Sequence, residues 1–486
     1  MKNIFCLILS LILINLSGCA VNPATGDQDL VLMSEQSEIA LGRKTNKEVL
    51  QHYIVYDNPE LQAYVNGVGQ ALAENSHRNN LIYRFTVLDS KDVNAFALPG
   101  GYIYITRGLM AYLNSEAELA AVLGHEIGHI TARHSVRQYS ATQLTGIGTV
   151  LASIFIPGMN QASSQLMQVM GTAFIRGYGR EHELEADKLG AEYVARTNYD
   201  AESMLDVIRV LKNQETFETQ RANSEGREPR IYHGLFSTHP DHDTRLQEIV
   251  AYASKYQSQP DSRKGEAEYL NQIDGLIFGD SPQQGITRGN NFYHESLGIG
   301  ITFPGNWNVT NLPNKLVITA PQGAATQQIL LDDINKKISP KAFMIQRLGL
   351  KNLRNDQPLT INGLDAHTGI ATINTGEGKR SARFTVIYFN HQAYILVGVS
   401  KDPGALSHYD AAFMETARSF HQLAGDERLL AKPLRLEIIE STEDTNFKSL
   451  ASQSPLEQYQ EEKLRLLNGL YPTGKANSKP LLKIVN

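Results

Sequence analysis

Apolar positions along this chain follow two rhythms. In the first half they recur at helical spacing: Leu119, Val122, Leu123 and Ile127 fall on one helix face, and 59–74 reads as an amphipathic helix. A leading helical segment is expected over about 22–50. Two short runs alternate or are rich in β-formers, 83–88 and Tyr102-Ile103-Tyr104-Ile105-Thr106, and both predict strands. Beyond the linker-like stretch Gln257-Ser258-Gln259-Pro260-Asp261-Ser262 the rhythm changes. Strands are expected at 299–303, 316–319, 383–389 and 393–399, with helices near 341–350 and 407–419. A final strand pair, 434–439 and 482–485, encloses a short polar segment. The pattern predicts an α+β multidomain chain: a mainly helical domain with a small sheet and an edge strand, then an α+β domain, then a small C-terminal module.

One helix carries chemistry. Ser115-Glu116-Ala117-Glu118 fits a capping box, so the helix starts at Ser115. It then runs through His125-Glu126-Ile127-Gly128-His129, an HExxH pattern, and is expected to continue past Arg133. Histidines at i and i+4 share a helix face, so both imidazoles can reach one Zn²⁺, with Glu126 placed as general base toward a metal-bound water. A third ligand is required. The extended HExxHxxGxxH pattern is excluded, because Ala132 and Ser135 stand at its glycine and histidine positions and His134 is one residue off. A later run, Arg180-Glu181-His182-Glu183-Leu184-Glu185-Ala186-Asp187, offers Glu183 as third ligand. Asp187, four residues on, shares its face and is expected to hydrogen-bond a ligand histidine, while Glu185 points elsewhere.

The run Asn94-Ala95-Phe96-Ala97-Leu98-Pro99-Gly100-Gly101, the HEIGH pentapeptide and the acidic run together resemble the HtpX and type I CAAX prenyl protease family of zinc metallopeptidases, over about residues 21–255. The soluble periplasmic lipoprotein branch matches best. The resemblance implies a zincin-type fold, one Zn²⁺ per chain and Glu183 as ligand. It also implies a site-facing role for His239, which precedes Pro240, and for Arg245; both are candidate donors to the oxyanion of the tetrahedral intermediate. The strand bearing Tyr102, Ile103 and Tyr104 resembles the family's substrate-binding edge strand, which implies pairing with an extended peptide by strand addition.

The N-terminus reads as a targeting segment. Lys2 supplies charge, 4–16 is apolar but short for a membrane span, and Leu16-Ser17-Gly18-Cys19 resembles a bacterial lipobox, with Cys19 as the lipidated residue. Ala20 after it points to the outer membrane. Only Cys6 and Cys19 exist, so the mature chain has no disulfide to form. The net charge of −6 is mild and no basic patch stands out, which argues against nucleic acid as a partner. No charged residue occurs from Gln138 to Ile175, yet Gly146, Gly148, Pro157, Gly158 and Asn160 interrupt that stretch. It predicts helices that cover the active site or touch lipid rather than a membrane hairpin.

The expected division is 1–18 signal peptide, 19–265 metallopeptidase, 285–425 an α+β domain whose Gly300–Trp307 opening resembles PsbP-like domains, and 430–486 a separate module resembling a degenerate LysM domain. Such modules bind peptidoglycan, so peptidoglycan joins the outer membrane and misfolded or misassembled envelope polypeptides as an expected partner. The leading reading is a lipid-anchored periplasmic zinc endopeptidase. The alternative is an envelope chaperone or peptidoglycan-binding lipoprotein with negligible turnover, against which the intact HExxH and Glu183 argue.

Overall fold

The computed structural model describes residues 19–145, 179–226 and 261–486 except 313 and 377, together with positions 229, 248 and 252. The chain divides into two compact units: 1–278 with 435–486, and 279–434.

The first unit opens on a hairpin, β1 (Cys19–Val21) against β2 (Gln28–Leu30), where a continuous helical lead-in was expected. Helix α1 (Glu35–His52) follows, its first turn closed by the Ser34 hydroxyl accepting from Ser37 N–H. Helix α2 (Pro59–Glu74) starts at the Asn58 cap with proline at the position that has no N–H to satisfy. Strands β3 (Arg84–Leu88), β4 (Ala95–Leu98) and β5 (Tyr102–Thr106) form a sheet of order β3-β5-β4, with β3 parallel and β4 antiparallel to β5. Then come α3 (Arg107–Tyr112), α4 (Glu116–Thr131), α5 (His134–Thr145), α6 (Arg180–Arg196), α7 (Ser203–Ser224), α8 (Glu266–Ile273) and the short strand β6 (Ile277–Phe278).

Helix α4 is buried on all sides, not on one stripe. Ser115 caps it as expected, accepting from Glu118 N–H. The Glu118 carboxylate, however, accepts from Asn114 N–H rather than from the cap residue. The helix does not continue past Arg133: Ala132 ends it, Arg133 sits at φ +56°, and α5 starts afresh at His134. This break is held from outside. Arg133 Nε donates to Glu38 Oε2 at 2.8 Å, and Arg78 Nη1 donates to both Glu38 Oε1 at 2.8 Å and the Ile130 carbonyl at 3.0 Å.

The second unit is antiparallel. Seven strands, β10 (Asn308–Leu312), β11 (Lys315–Thr319), β12 (Ala325–Asp333), β13 (Arg354–Ile361), β14 (Leu364–Thr375), β15 (Gly378–Phe389) and β16 (Gln392–Ser400), pair in the order β10-β11-β12-β16-β15-β14-β13. Strands β7 (Ile286–Arg288), β8 (Asn291–His294), β9 (Ile299–Thr302) and β17 (His421–Gln422) make a smaller sheet. Helix α9 (Pro340–Gln346) and helix α10 (Leu406–Ser419) cover the larger sheet, with Phe343 and Phe413 fully buried beneath them, and a short helix α11 (Glu427–Leu430) follows. Trp307 packs edge-on to Phe413 and Tyr409 as part of that core.

The C-terminal segment belongs to the first unit, not to a separate module. It runs β18 (Leu434–Glu440), α12 (Phe447–Gln453), α13 (Gln460–Leu467) and β19 (Leu481–Val485). β18 pairs with β19 and, on its other side, with β6. Leu466 and Tyr471 pack on Phe217 of α7. Lys483, fully buried, donates from Nζ to the carbonyls of Ala111 at 2.8 Å and Leu113 at 2.6 Å. These contacts bury an apolar face that the segment cannot bury by itself. The first unit runs on past the linker-like stretch to Phe278, and Ala117 N–H donates to the Lys264 carbonyl within it. No helix among the described residues is long and apolar enough to cross a membrane.

Candidate metal centre

Helices α4 and α6 build the site between them. They approach closely because small residues face each other. A Cβ on Gly128 would lie 2.8 Å from the Ala186 carbonyl oxygen, and one on Gly190 would lie 2.8 Å from the His125 amide nitrogen. Only glycine allows backbone contact of this kind. The approach brings His125 and His129 of α4 opposite Glu183 and Asp187 of α6, all of them buried.

The Nε2 atoms of His125 and His129 lie 3.0 Å apart. Glu183 Oε2 is 3.6 Å from His125 Nε2, and Glu183 Oε1 is 3.6 Å from His129 Nε2. Atoms held tetrahedrally at zinc–ligand distances lie about 3.3 Å from one another, and the observed spacings bracket that value. His125, His129 and Glu183 are the metal-capable cluster found among the described residues. Two nitrogens and a carboxylate are donors that suit zinc, and three of them leave a fourth position for water. The site therefore fits one Zn²⁺, which when bound polarises a carbonyl and lowers the pKa of water. Glu126, buried next to His125 in sequence, sits on the same helix as both ligands.

Each imidazole is held by its outer nitrogen. His125 Nδ1 lies 2.8 Å from Asp187 Oδ1, the contact expected for Asp187. His129 Nδ1 lies 2.8 Å from Nδ1 of His134, whose Nε2 lies 3.0 Å from Glu185 Oε2. Arg137 Nη1 donates to the same Glu185 oxygen at 2.7 Å, and Asn22 Nδ2 to the other at 3.1 Å. Glu185 thus faces this network rather than pointing away from it. Burial would raise the Glu185 carboxyl, but the bonds and charges of His134 and Arg137 hold it down at about 2. Burial lowers His134 and, with the neighbouring charges of His134 and Arg137, brings His182 down to about 3. His182 stacks on the His134 ring with centroids 4.3 Å apart.

The HExxH spacing gives no sign of His134, which stands behind His129 as a support and outside the three-residue cluster. Every ligand histidine needs a partner for its other nitrogen, and that requirement was the available signal.

The strand bearing Tyr102, Ile103 and Tyr104 is not an edge strand. β5 is flanked on both sides, by β3 and β4, and all five of its residues are buried. A run of apolar β-formers predicts a strand but not its place in a sheet. β4 is the edge on the metal-helix side: Ala97, Leu98 and Pro99 bound a shallow depression together with His129, Arg133 and Glu38. His239 and Arg245 lie outside the described residues, as does most of the uncharged stretch, 146–175. Cys19 begins β1.

Residues 59–253 match the family described as Peptidase family M48. The beta-barrel assembly-enhancing protease of Yersinia pestis is 27% identical over 247 residues, 49% of this chain and 48% of that protein. The putative beta-barrel assembly-enhancing protease of Vibrio cholerae is 31% identical over 157 residues, 31% of this chain and 32% of that protein. The mitochondrial metalloendopeptidase OMA1 of Arabidopsis thaliana is 31% identical over 147 residues, 30% of this chain and 29% of that protein. The chain thus spans half or less of the length of these curated relatives. Among solved structures, cyanobacterial PsbP from Synechocystis is 14% identical, covers 29% of this chain and 96% of its own, and has a TM-score of 0.23, too low to carry an argument. Residues 59–253 are thus similar to Peptidase family M48, and within that stretch His125, His129 and Glu183 are able to hold a metal ion.

Proposed function

We propose that this chain is a zinc endopeptidase of the bacterial envelope, in the periplasmic lipoprotein branch, which hydrolyses misfolded or misassembled envelope polypeptides. The observation that carries this reading is the convergence of His125, His129 and Glu183 within 4.8 Å of one another, with Glu126 on the same buried helix. Glu126 takes the proton of the attacking water and returns it to the leaving amine. An extended peptide adds as a strand along β4, the end strand of the β3-β5-β4 sheet, which borders the depression beside His129. His239, with Arg245, is the proposed donor to the oxyanion. Substrate class follows from the name shared by the Yersinia and Vibrio relatives, and the lipid anchor on Cys19 from the lipobox pattern. The β18-α12-α13-β19 order supports a LysM-like reading of the C-terminal segment, with peptidoglycan as its ligand.

Glu126→Gln tests the central claim. The variant is expected to keep zinc and fold and to lose casein hydrolysis by about 10²–10⁴, the range for general-base catalysis. Hydrolysis within about tenfold of wild type would remove Glu126 from that role and favour the chaperone alternative.

A further inference from the structure

We infer that His134 and Glu185 form a positioning relay for the metal ligand His129, an inference that rests on the metal-centre reading above. The argument is one of proton placement. If His129 holds the metal through Nε2, its Nδ1 must carry hydrogen. The partner of that N–H, at 2.8 Å, is His134 Nδ1, which must then accept. The single proton of neutral His134 is left on Nε2, which faces Glu185 Oε2 at 3.0 Å. One tautomer satisfies both contacts, and it runs His129 to His134 to Glu185 without conflict. His125 has the shorter version of the same support, a carboxylate placed directly on Nδ1.

The relay draws on separate elements. His134 opens α5 after the reversal at Arg133, and Glu185 comes from α6, two residues beyond Glu183. Arg137 and Asn22 fix the carboxylate from two further sides, and Arg137 Nε also meets Asp29 Oδ2 at 3.3 Å. The orientation of His129 is therefore tied to the β1–β2 hairpin, which supplies Asn22 and Asp29. His134 is 0 % exposed and stacked on His182, so its ring has little freedom to turn.

The test measures zinc affinity of the purified full chain by competition with a chromophoric chelator, for wild type, His134→Ala, Glu185→Gln and the double variant. Loss of an outer-shell partner is expected to weaken zinc binding about 10–100-fold. Because the two residues act in series, the double variant is expected to bind no worse than His134→Ala alone. Affinities within less than about tenfold of wild type, or a double variant in which the two losses multiply, would overturn the relay. Should His134→Ala fail to fold, Glu185→Gln decides by the same threshold. Wild-type protein that bound no zinc would overturn the metal centre itself, a failure distinct from unchanged affinity in the variants.

Discussion

Glu183 is fully buried, and its two oxygens reach towards different histidines, 3.6 Å from each. Two neighbouring carboxylates are occupied otherwise: Asp187 with His125 Nδ1, Glu185 with His134 and Arg137. Glu183→Ala is therefore expected to abolish stoichiometric zinc binding in the purified protein. Full zinc content in that variant, measured by elemental analysis, would move the ligand to another carboxylate. At this scale the sequence was highly legible. The i, i+4 spacing of His125 and His129 and of Glu183 and Asp187 fixes which side chains share a face, and helix geometry does the rest. His134 was not legible in the same way, because its position depends on Arg133 adopting φ +56°. A helix continuing through Arg133 would carry residue 134 elsewhere, and a positive φ at arginine is not something spacing can announce.

Between elements, the site depends on how closely α4 and α6 approach. A methyl group at Gly190 would sit 2.8 Å from His125 N and 3.1 Å from His125 Cα, against backbone that cannot swing aside. Gly190→Ala is expected to push α6 away from the ligand histidines, at a cost of about 1–3 kcal/mol in stability, and to lower zinc affinity with it. An unchanged unfolding temperature together with unchanged affinity would show that the helices tolerate the shift. The start of α4 offers a pH test. Burial pushes the Glu118 carboxyl up to about 7 from its ordinary 4.5. The folded state thus holds that proton more tightly than the unfolded chain does. Its contribution to stability is full below pH 4.5 and is lost as pH rises through about 7. Glu118→Gln keeps an oxygen for Asn114 N–H and removes the titration, so its unfolding temperature relative to wild type should rise between about pH 5 and 8. Parallel pH curves for the two proteins would refute the raised pKa. Periodicity found the strands but not their order: Tyr102–Thr106 is apolar because both its edges and both its faces are covered, whereas β4 carries the edge.

For the whole molecule, the decisive feature is that the first unit is discontinuous in sequence. The chain leaves it after Phe278, folds residues 279–434, and returns at Arg435. The exit and return are neighbours: Gly275 N–H donates to the Leu436 carbonyl at 2.9 Å, and Leu436 N–H donates to the Leu276 carbonyl at 2.8 Å. A linear reading of the sequence assigns three successive domains, because composition shifts mark where a segment changes character, not which partner it returns to. Two deletions separate these views. Replacing residues 280–433 by a short Gly/Ser linker joins ends that already touch, so the shortened chain is expected to fold and bind zinc as the full chain does. Ending the chain at residue 434 removes β18 from β6, Leu466 and Tyr471 from Phe217, and the Lys483 Nζ donor from the Ala111 and Leu113 carbonyls. That truncation exposes an apolar face and leaves two carbonyls beside the α4 cap without their donor, so it is expected to give aggregated protein or protein with a markedly lowered unfolding temperature. A truncated chain that stayed soluble, melted like the full chain and kept its zinc would restore the C-terminal segment to an independent module.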